Sequence, residues 1–384
     1  MENNKKMGKK HFVLLLFLFS YISTYGQAFS TDSWWSPETE KYSPVVTADG
    51  HITFRTPAPK AKEVRLLFGE WDVEPVNMHK NAKGDWETTI GPVVPGVYEY
   101  KFEIDGVKVL DYKNPTVKTG TEVYGSIVEV CASTPRFDQY VHTGSEVDVI
   151  SYTSTPLSLR RKVYVYIPAV YYENPGIRLP VLYLRHGGGD DESSWVRSAS
   201  ADAIMDNLIA EGKAKPMIVV MTNGLTDGSW AGGSNVEGMN ALEEELLKDV
   251  IPLVEKRYRV LTDRKWRAIA GLSMGGGQAF VIGMRHLELF SAIGEFSSGL
   301  LSDSSWDYSK YGVASIDDSA KVNSMLSLLW VSCGTKDTRW EGHKEFCQRL
   351  DSKGINYVFR HSEHGHEWQF WREQLRDFAT AIFH

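Results

Sequence analysis

The chain has 384 residues, of which 42% are hydrophobic and 24% charged, and its formal net charge is −7 at pH 7. This length predicts two domains, or one large domain with a smaller companion, each able to bury a core. The acidic balance, without a concentrated basic patch, argues against nucleic acid as a partner.

The N-terminal segment predicts an export signal. Four lysines between residues 5 and 10 precede the apolar run at residues 12–19, and small and polar residues follow up to Gly26. The run is too short to span a bilayer as a stable helix, and this order is typical of a signal peptide. We therefore expect residues 1–26 to be removed, leaving a periplasmic or secreted protein without a membrane anchor.

Residues 27–131 predict an all-β domain. Short runs with alternating or apolar patterns occur at residues 52–55, 63–68, 85–90, 97–104 and 126–130. Turn signals such as Asp49-Gly50 and Asp105-Gly106 separate them, and about a hundred residues of this kind match the size of an immunoglobulin-like β-sandwich. Trp71 and Trp86 are candidate platforms for sugar rings, and the alternative is that they are buried in the sandwich core.

Residues 132–145 contain proline, glycine and small polar residues and predict a linker, and residues 146–384 predict an α/β domain. An antiparallel pair is expected at residues 147–152 and 161–167. Apolar strands are then expected at residues 179–184, 217–221, 266–270, 292–296 and 327–332, and helices at residues 201–211, 240–256, 340–353 and 368–383. This alternation predicts a largely parallel sheet covered by helices on both faces.

One strand of this domain ends in a Gly-x-Ser-x-Gly pentapeptide. Residues 268–277 read AIAGLSMGGG, and a helix is expected directly afterwards at residues 278–286. This order predicts a nucleophile elbow, in which Gly271 and Gly275 give room for a sharp turn and Ser273 takes the strained apex. An elbow serine in such a sheet predicts the α/β-hydrolase fold with Ser273 as the nucleophile.

A catalytic acid and base follow in the chain order that this fold uses. Asp337 comes just after the strand at residues 327–332, where catalytic groups collect, and it is the predicted acid. His366 is the predicted base and His364 is the alternative, because residues 361–368 place three histidines on a loop before the last helix. Four other aspartates rank lower because no strand directly precedes them: Asp303, Asp307, Asp317 and Asp318.

A glycine run at residues 187–189 follows the strand at residues 179–184. Its backbone N–H groups can turn towards a carbonyl oxygen, so we predict an oxyanion hole made by Gly187, Gly188 and the N–H of Met274. Trp230, Trp306 and Trp340 lie on segments expected at the catalytic rim and are candidate substrate-binding residues, with a scaffold role as the alternative.

The three cysteines are not spaced as metal ligands, so no metal or other cofactor is expected. Cys333 and Cys347 could be bridged in an oxidising compartment or could remain free.

With these motifs the sequence resembles the esterase D-like carbohydrate esterases, which include feruloyl esterases and acetyl xylan esterases. The resemblance rests on YLRHGGG at residues 183–189, AGLSMGG at residues 270–276, GTKD at residues 334–337 and GHEWQFWR at residues 365–372. The last motif looks like that family's catalytic histidine and favours His366 over His364. The leading sandwich is similar to the early-set domain of secreted two-domain members. Arg185 and His364 depart from the family pattern, which predicts an unusual acyl pocket.

The resemblance implies a secreted serine carboxylesterase that releases ferulate and related hydroxycinnamates from arabinoxylan, or from feruloylated xylo-oligosaccharides, through an acyl-enzyme. Three alternatives stay open: an acetyl xylan esterase, an esterase that opens siderophore lactones, and a non-catalytic glycan-binding protein. The presence of Ser273, Asp337 and His366 together argues against the last of these.

Overall fold

A computed structural model describes residues 44–384 except residues 71–72, 83, 132–135 and 143. The predicted signal peptide at residues 1–26, Trp71 and part of the predicted linker therefore lie outside the described residues. None of the helices in the described part is long and apolar enough to cross a membrane.

The first domain is built from strands alone. They are β1 Val45–Val46, β2 Ile52–Pro57, β3 Val64–Phe68, β4 Val76–Asn77, β5 His79–Lys80, β6 Asp85–Ile90, β7 Gly96–Ile104, β8 Val107–Val109, β9 Val117–Lys118 and β10 Gly125–Val130. One sheet has the order β1-β2-β6-β5, and the other has the order β4-β3-β7-β10-β9 with β8 paired to β7. The paired strands in both sheets are antiparallel. The two sheets form the predicted sandwich.

Aromatic side chains fill the space between these two sheets. Phe54 and Tyr100 are fully buried, and their ring centroids lie 4.7 Å apart. Trp86 is only 8% exposed, and its indole N–H donates to the carbonyl of Ala58 at 2.8 Å. A sugar ring cannot stack on a buried indole, so Trp86 is a core residue and the platform interpretation is wrong for it.

The second domain has an eight-stranded sheet. Its strands are β11 Glu146–Ser154, β12 Leu159–Ile167, β13 Val181–Arg185, β14 Ile218–Thr222, β15 Arg267–Leu272, β16 Ala292–Phe296, β17 Leu328–Ser332 and β18 Val358–Arg360. The spatial order is β11-β12-β14-β13-β15-β16-β17-β18. β12 is antiparallel to both of its neighbours and the other pairs are parallel, which confirms the predicted α/β-hydrolase architecture.

Helices cover this sheet. They are α1 Val170–Glu173, α2 Ser194–Arg197, α3 Ala201–Ala210, α4 Val236–Glu245, α5 Ile251–Arg257, α6 Ser273–Arg285, α7 Gly299–Ser302, α8 Ser319–Met325, α9 Trp340–Lys353 and α10 Trp368–Ala381. Short 3-10 turns occur at Arg264–Trp266 and Ala314–Asp317. Alternate strand residues point to opposite faces, so Tyr183 packs in the core beneath α4, α5, α6 and α9, whereas Leu184 packs in the core beneath α3 and α10.

The helix predicted at residues 240–256 is interrupted. A π-helical turn at Leu246–Val250 joins α4 to α5, and Pro252 occupies the first turn of α5. Proline has no backbone N–H to donate to the carbonyl four residues earlier, so a regular α-helix cannot continue through this position with all its hydrogen bonds.

The two domains are joined by buried polar contacts from α10. The guanidinium of Arg372 is almost completely buried and donates to the carbonyl of Val97 in β7 and to the carbonyl of Ser198, each at 2.8 Å. It also lies 3.6 Å from the carboxylate of Asp138. Arg372 thus anchors the sandwich to the same helix that follows the predicted catalytic histidine.

The described cysteines are all free, so Cys333 and Cys347 are not bridged. Both are buried, and Cys131 is exposed.

We expect Phe280→Ala to lower the free energy of unfolding by about 3–5 kcal/mol, because it leaves a cavity in the core under α6. Phe280 is fully buried and packs against Trp306 and Phe346 with ring centroids 6.0 and 5.4 Å away. Urea denaturation followed by fluorescence measures the change. Val149→Ala on the exposed edge strand β11 is the control, with an expected change within about 0.5 kcal/mol. An equal loss in both variants would contradict the packing described.

Candidate active site

Ser273 lies at a sharp turn between β15 and α6. Its φ is 49°, a left-handed conformation that is uncommon for a residue with a side chain. An added Cβ at Gly275 would lie 2.8 Å from the carbonyl carbon of Arg185, and one at Gly271 would lie 2.5 Å from the carbonyl carbon of Gly275. Only glycine fits at these two positions, and the strand–turn–helix arrangement is that of a nucleophile elbow.

Three predicted residues form a continuous hydrogen-bonded chain. His366 Nε2 lies 3.0 Å from Ser273 Oγ, and His366 Nδ1 lies 2.7 Å from Asp337 Oδ2. The other carboxylate oxygen of Asp337 accepts from the backbone N–H of Arg339 at 2.9 Å and from its guanidinium at 3.3 Å. With Nδ1–H donating to the carboxylate, Nε2 is left to accept the proton of Ser273.

The protonation states suit this arrangement. Burial opposes ionisation of Asp337, but the hydrogen bond and charge of His366 and the contacts with Arg339 outweigh it, and the pKa of the carboxyl falls to about 2. Burial lowers the pKa of His366 below its usual 6.5, and the hydrogen bond to Asp337 offsets only part of that effect. At neutral pH the imidazole is therefore an uncharged base beside an ionised acid.

His364 points elsewhere. Its Nδ1 lies 3.2 Å from the carboxylate of Glu367 and its Nε2 lies 3.5 Å from that of Glu373. Hydrogen bonds to these two carboxylates raise the pKa of His364 to about 9. Its carbonyl also accepts from the N–H of Lys336 at 2.9 Å. His364 thus connects the loop of His366 to the loop of Asp337 and does not contact Ser273.

The predicted oxyanion loop adjoins the elbow. An added Cβ at Gly187 would lie 3.4 Å from the Cβ of Ser273, and Met274 is the second residue of α6, in the first turn, where backbone N–H groups have no partner within the helix. His186 is fully buried; its Nδ1 donates to the carbonyl of Gly187 and its Nε2 accepts from the N–H of Gly224, both at 2.8 Å. Sequence reasoning gave His186 no separate role, yet it fixes this loop.

The three candidate tryptophans have different positions. Trp230 is 44% exposed and lies against Gly188, where an added Cβ would come within 2.7 Å of its ring. Trp306 is only 7% exposed and packs in the core against Phe280, so the prediction that it binds substrate is wrong. Trp340 stacks on Phe359 of the edge strand β18 at a centroid distance of 5.6 Å and lines neither of the cavities described below, so it too is scaffold.

Arg185 also differs from expectation. It is fully buried, and its guanidinium donates to the side chain of Gln278 in α6 at 2.8 Å. Burial lowers its pKa to about 10. Arg185 lines neither cavity, so it does not make the acyl pocket unusual.

A buried ion pair that sequence reasoning missed lies beneath the acid loop. The Glu295 carboxylate is fully buried and accepts from the N–H groups of Ser298 and Ser332, each at 3.1 Å, and from His343 Nε2 at 3.3 Å. Burial alone would lower the pKa of His343, but the charge of Glu295 outweighs it and raises that pKa well above its usual value. His343 Nδ1 donates to the carbonyl of Arg339 at 2.9 Å, which ties the pair to the residue that holds Asp337.

Two cavities meet beside Ser273, and Trp230 and Arg339 line both. The smaller, of about 500 Å³, contains Ser273 and Met274 and is lined further by Met239, Leu300 and Tyr311. The larger, of about 820 Å³, contains Asp337 and His366 and has a wall from the sandwich formed by Phe68, Val73 and Tyr98. Within the described part of the chain, no group of three or more His, Cys, Asp or Glu side chains is arranged to hold a metal ion.

The chain matches two family models. Residues 154–381 match the model described as "Putative esterase", which covers more than half of the chain. Residues 41–117 match the model of carbohydrate-binding module 48, described as the isoamylase N-terminal domain.

Individual relatives agree with these matches. An endo-1,4-beta-xylanase/feruloyl esterase of Xylanibacter ruminicola is 32% identical over 348 residues, which is 88% of this chain and 46% of the relative. The chain thus spans less than half the length of that relative. A solved ferulic acid esterase is 27% identical with a TM-score of 0.53 and covers 63% of this chain and 100% of its own.

The enterobactin esterase FES of Shigella flexneri is 16% identical with a TM-score of 0.65 over 91% of this chain and 98% of its own, which shows that the two-domain fold is shared.

We expect His366→Ala to lower kcat for 4-nitrophenyl acetate by at least about a thousandfold, because it removes the base that bridges Ser273 and Asp337. His364→Ala is the matched control, since it changes the same loop without touching the serine, and its loss should be far smaller. Circular dichroism checks that both variants fold. The reverse ranking would refute the assignment of the base.

We expect kcat/KM for the same ester to fall as the pH is lowered, with its midpoint below pH 6.5. Only neutral His366 can accept the serine proton, and burial depresses its pKa, so the active form persists into mildly acidic solution. Initial rates between pH 4.5 and 8.5, with folding checked by fluorescence at each pH, give the profile. A midpoint above pH 7 would contradict the buried, uncharged base.

Proposed function

Because the chain belongs to the esterase family whose model it matches, we propose that it is a serine carboxylesterase that releases ferulate and related hydroxycinnamates from arabinoxylan through an acyl-enzyme. The observation that supports esterase activity is the hydrogen-bonded chain from Ser273 through His366 to Asp337, which lies where two cavities meet.

The geometry supports a two-step reaction. Ser273 Oγ attacks the ester carbonyl while His366 takes its proton, and the carbonyl oxygen becomes negatively charged. The N–H of Met274 and an N–H of the glycine loop stabilise that oxygen, an effect worth about 3 kcal/mol per donor. His366 then protonates the departing alcohol, and a water molecule activated by the same histidine releases the acid from Ser273.

This order of reaction steps gives each cavity a proposed role. The leaving alcohol must lie near His366 Nε2 to receive its proton, so the proposed position of the sugar is the larger cavity, which contains His366. The acyl group then extends on the Ser273 side, into the smaller cavity lined by Met239, Leu300 and Tyr311. A planar phenolic ring suits a cavity of this size, in which Ser234 and Asn235 add polar groups to the apolar surface, whereas an acetyl group leaves most of it unfilled.

The larger cavity lies between the two domains. Phe68 and Tyr98 of the sandwich stack on each other with ring centroids 5.1 Å apart and face the hydrolase residues across the cleft. Aromatic faces of this kind are suited to pack against sugar rings. The sandwich therefore contributes to the proposed sugar site directly, and a glycan surface elsewhere on it is not needed for this role.

The names of two relatives support the choice of acyl group. One is an endo-1,4-beta-xylanase/feruloyl esterase and the other a ferulic acid esterase. The basic and apolar residues before Gly26 support the further proposal that the enzyme acts outside the cytoplasm, which N-terminal sequencing of the protein recovered from the periplasm or medium would test.

We expect kcat/KM for methyl ferulate to exceed that for methyl acetate by at least tenfold, because burial of the ring contributes about 2–3 kcal/mol. Leu300→Trp should fill the smaller cavity and lower kcat/KM for methyl ferulate by about tenfold or more while 4-nitrophenyl acetate is still hydrolysed. Val149→Trp on the exposed edge strand is the matched control and should change neither rate.

Release of ferulate and acetate from arabinoxylan tests the natural substrate, with Ser273→Ala as the inactive reference. Acetate release without any ferulate would replace the proposed acyl specificity by xylan deacetylation. An unaltered ratio of the two ester rates in Leu300→Trp would show that the ring does not occupy the smaller cavity.

A further inference from the structure

The oxyanion loop at residues 186–190 rests on the sandwich domain. The contact is made by residues 118–124, which comprise the last residue of β9 and the connection to β10 and which we call the brace segment. The N–H of Thr121 donates to the carbonyl of Gly189 at 2.8 Å. An added Cβ at Gly120 would overlap the carbonyl oxygen of Gly189 and lie 3.0 Å from its carbonyl carbon, so the two backbones touch.

A buried charge reinforces this contact. Lys118 Nζ lies 3.5 Å from the carboxylate of Asp190 and 3.7 Å from that of Glu99, and all three side chains are almost completely buried. Asp190 in turn contacts the predicted oxyanion hole, since an added Cβ at Gly187 would lie 3.4 Å from its Oδ2. The lysine thus links the sandwich strand to the loop that faces Ser273.

The opposite side of the loop is held by the hydrolase domain. The N–H of Gly189 donates to the carbonyl of Trp230 at 2.7 Å, while the carbonyl of Gly189 accepts from the N–H of Thr121. Three successive glycines at residues 187–189 have wide backbone freedom in the absence of such contacts. An oxyanion hole acts through donors whose positions are set before the reaction begins, so this loop needs external support.

We propose that the brace segment is a positioning element of the oxyanion hole, and that Gly120 and Lys118 set the rate of acylation from the sandwich domain without touching the substrate. The inference rests on the proposed esterase function. The inference gives the sandwich a role in positioning the oxyanion hole. This role is separate from the one proposed for the sandwich residues that line the sugar cavity. Neither Gly120 nor Lys118 lines the cavities that contain Ser273 or His366.

The test separates substrate binding from acylation by burst kinetics with 4-nitrophenyl acetate. Gly120→Ala pushes a methyl group against the carbonyl of Gly189, and we expect the acylation rate constant to fall at least about tenfold. This loss is smaller than the loss of about a hundredfold or more that follows when a whole oxyanion-hole donor is removed, because the loop is displaced and its N–H groups remain. The substrate dissociation constant should stay within about twofold, because the loop acts on the transition state. Gly176→Ala, where the nearest atom would be a side-chain oxygen 3.5 Å away, is the matched glycine control and should acylate at the wild-type rate.

A second pair of variants covers the case in which Gly120→Ala does not fold. Lys118→Met removes the charge that reaches Asp190 and should lower the acylation rate constant about tenfold, and Lys118→Arg should restore most of it. Lys101→Met is the control, because Lys101 lies 3.4 Å from the same Glu99 but makes no ion pair with Asp190. Thermal unfolding identifies the variants that fold.

The outcomes are distinguishable. Wild-type protein that hydrolyses no ester overturns the proposed function and this inference together. Wild-type hydrolysis with unchanged acylation in folded Gly120→Ala and Lys118→Met overturns the inference alone. A larger substrate dissociation constant in these variants, with an unchanged acylation rate constant, also overturns the inference. That pattern is expected when a residue binds substrate and does not position the oxyanion hole. An equal loss in Lys101→Met would show only general destabilisation of the sandwich, and it too counts against the proposal.

Discussion

The close backbone contact at the nucleophile elbow is the constraint on which the rest of the site depends. The end of β13 runs so close to the first turn of α6 that a Cβ at Gly275 would collide with the backbone of Arg185 and His186. This contact holds Ser273 at a positive φ and puts the glycine loop beside it, so that the buried serine lines the smaller cavity at the carboxyl edge of the sheet. The adjacent parallel strands β16 and β17 then deliver the acid loop to the same edge.

Below that edge, the acid is supported by a buried polar network. Asp337 is held by Arg339, the carbonyl of Arg339 is held by His343, and His343 is paired with Glu295. The link between His343 and Glu295 is fully buried, where a satisfied network is rigid and a missing partner leaves a costly unpaired charge. The position of Asp337 therefore depends on fully buried side chains from β16 and α9.

The sandwich forms part of the candidate active site. Arg372 fixes it to α10, Phe68 and Tyr98 form one wall of the larger cavity, and residues 118–124 support the oxyanion loop. These contacts include buried charges and backbone hydrogen bonds, which join the two domains beside the candidate active site. The domain that matches the carbohydrate-binding-module model is thus packed directly against the candidate active site.

The sequence alone determined both domain folds, the elbow and the chain order of the triad residues, because those features follow from local periodicity, glycine spacing and strand–loop positions. Tertiary structure alone decided which polar and aromatic residues meet. It placed Trp306 and Trp340 in the scaffold and Arg185 beneath the site, it paired His364 with two glutamates, and it brought Lys118 to Asp190 across the domain boundary. Burial and partners of a side chain depend on segments far apart in the chain, which local patterns do not encode.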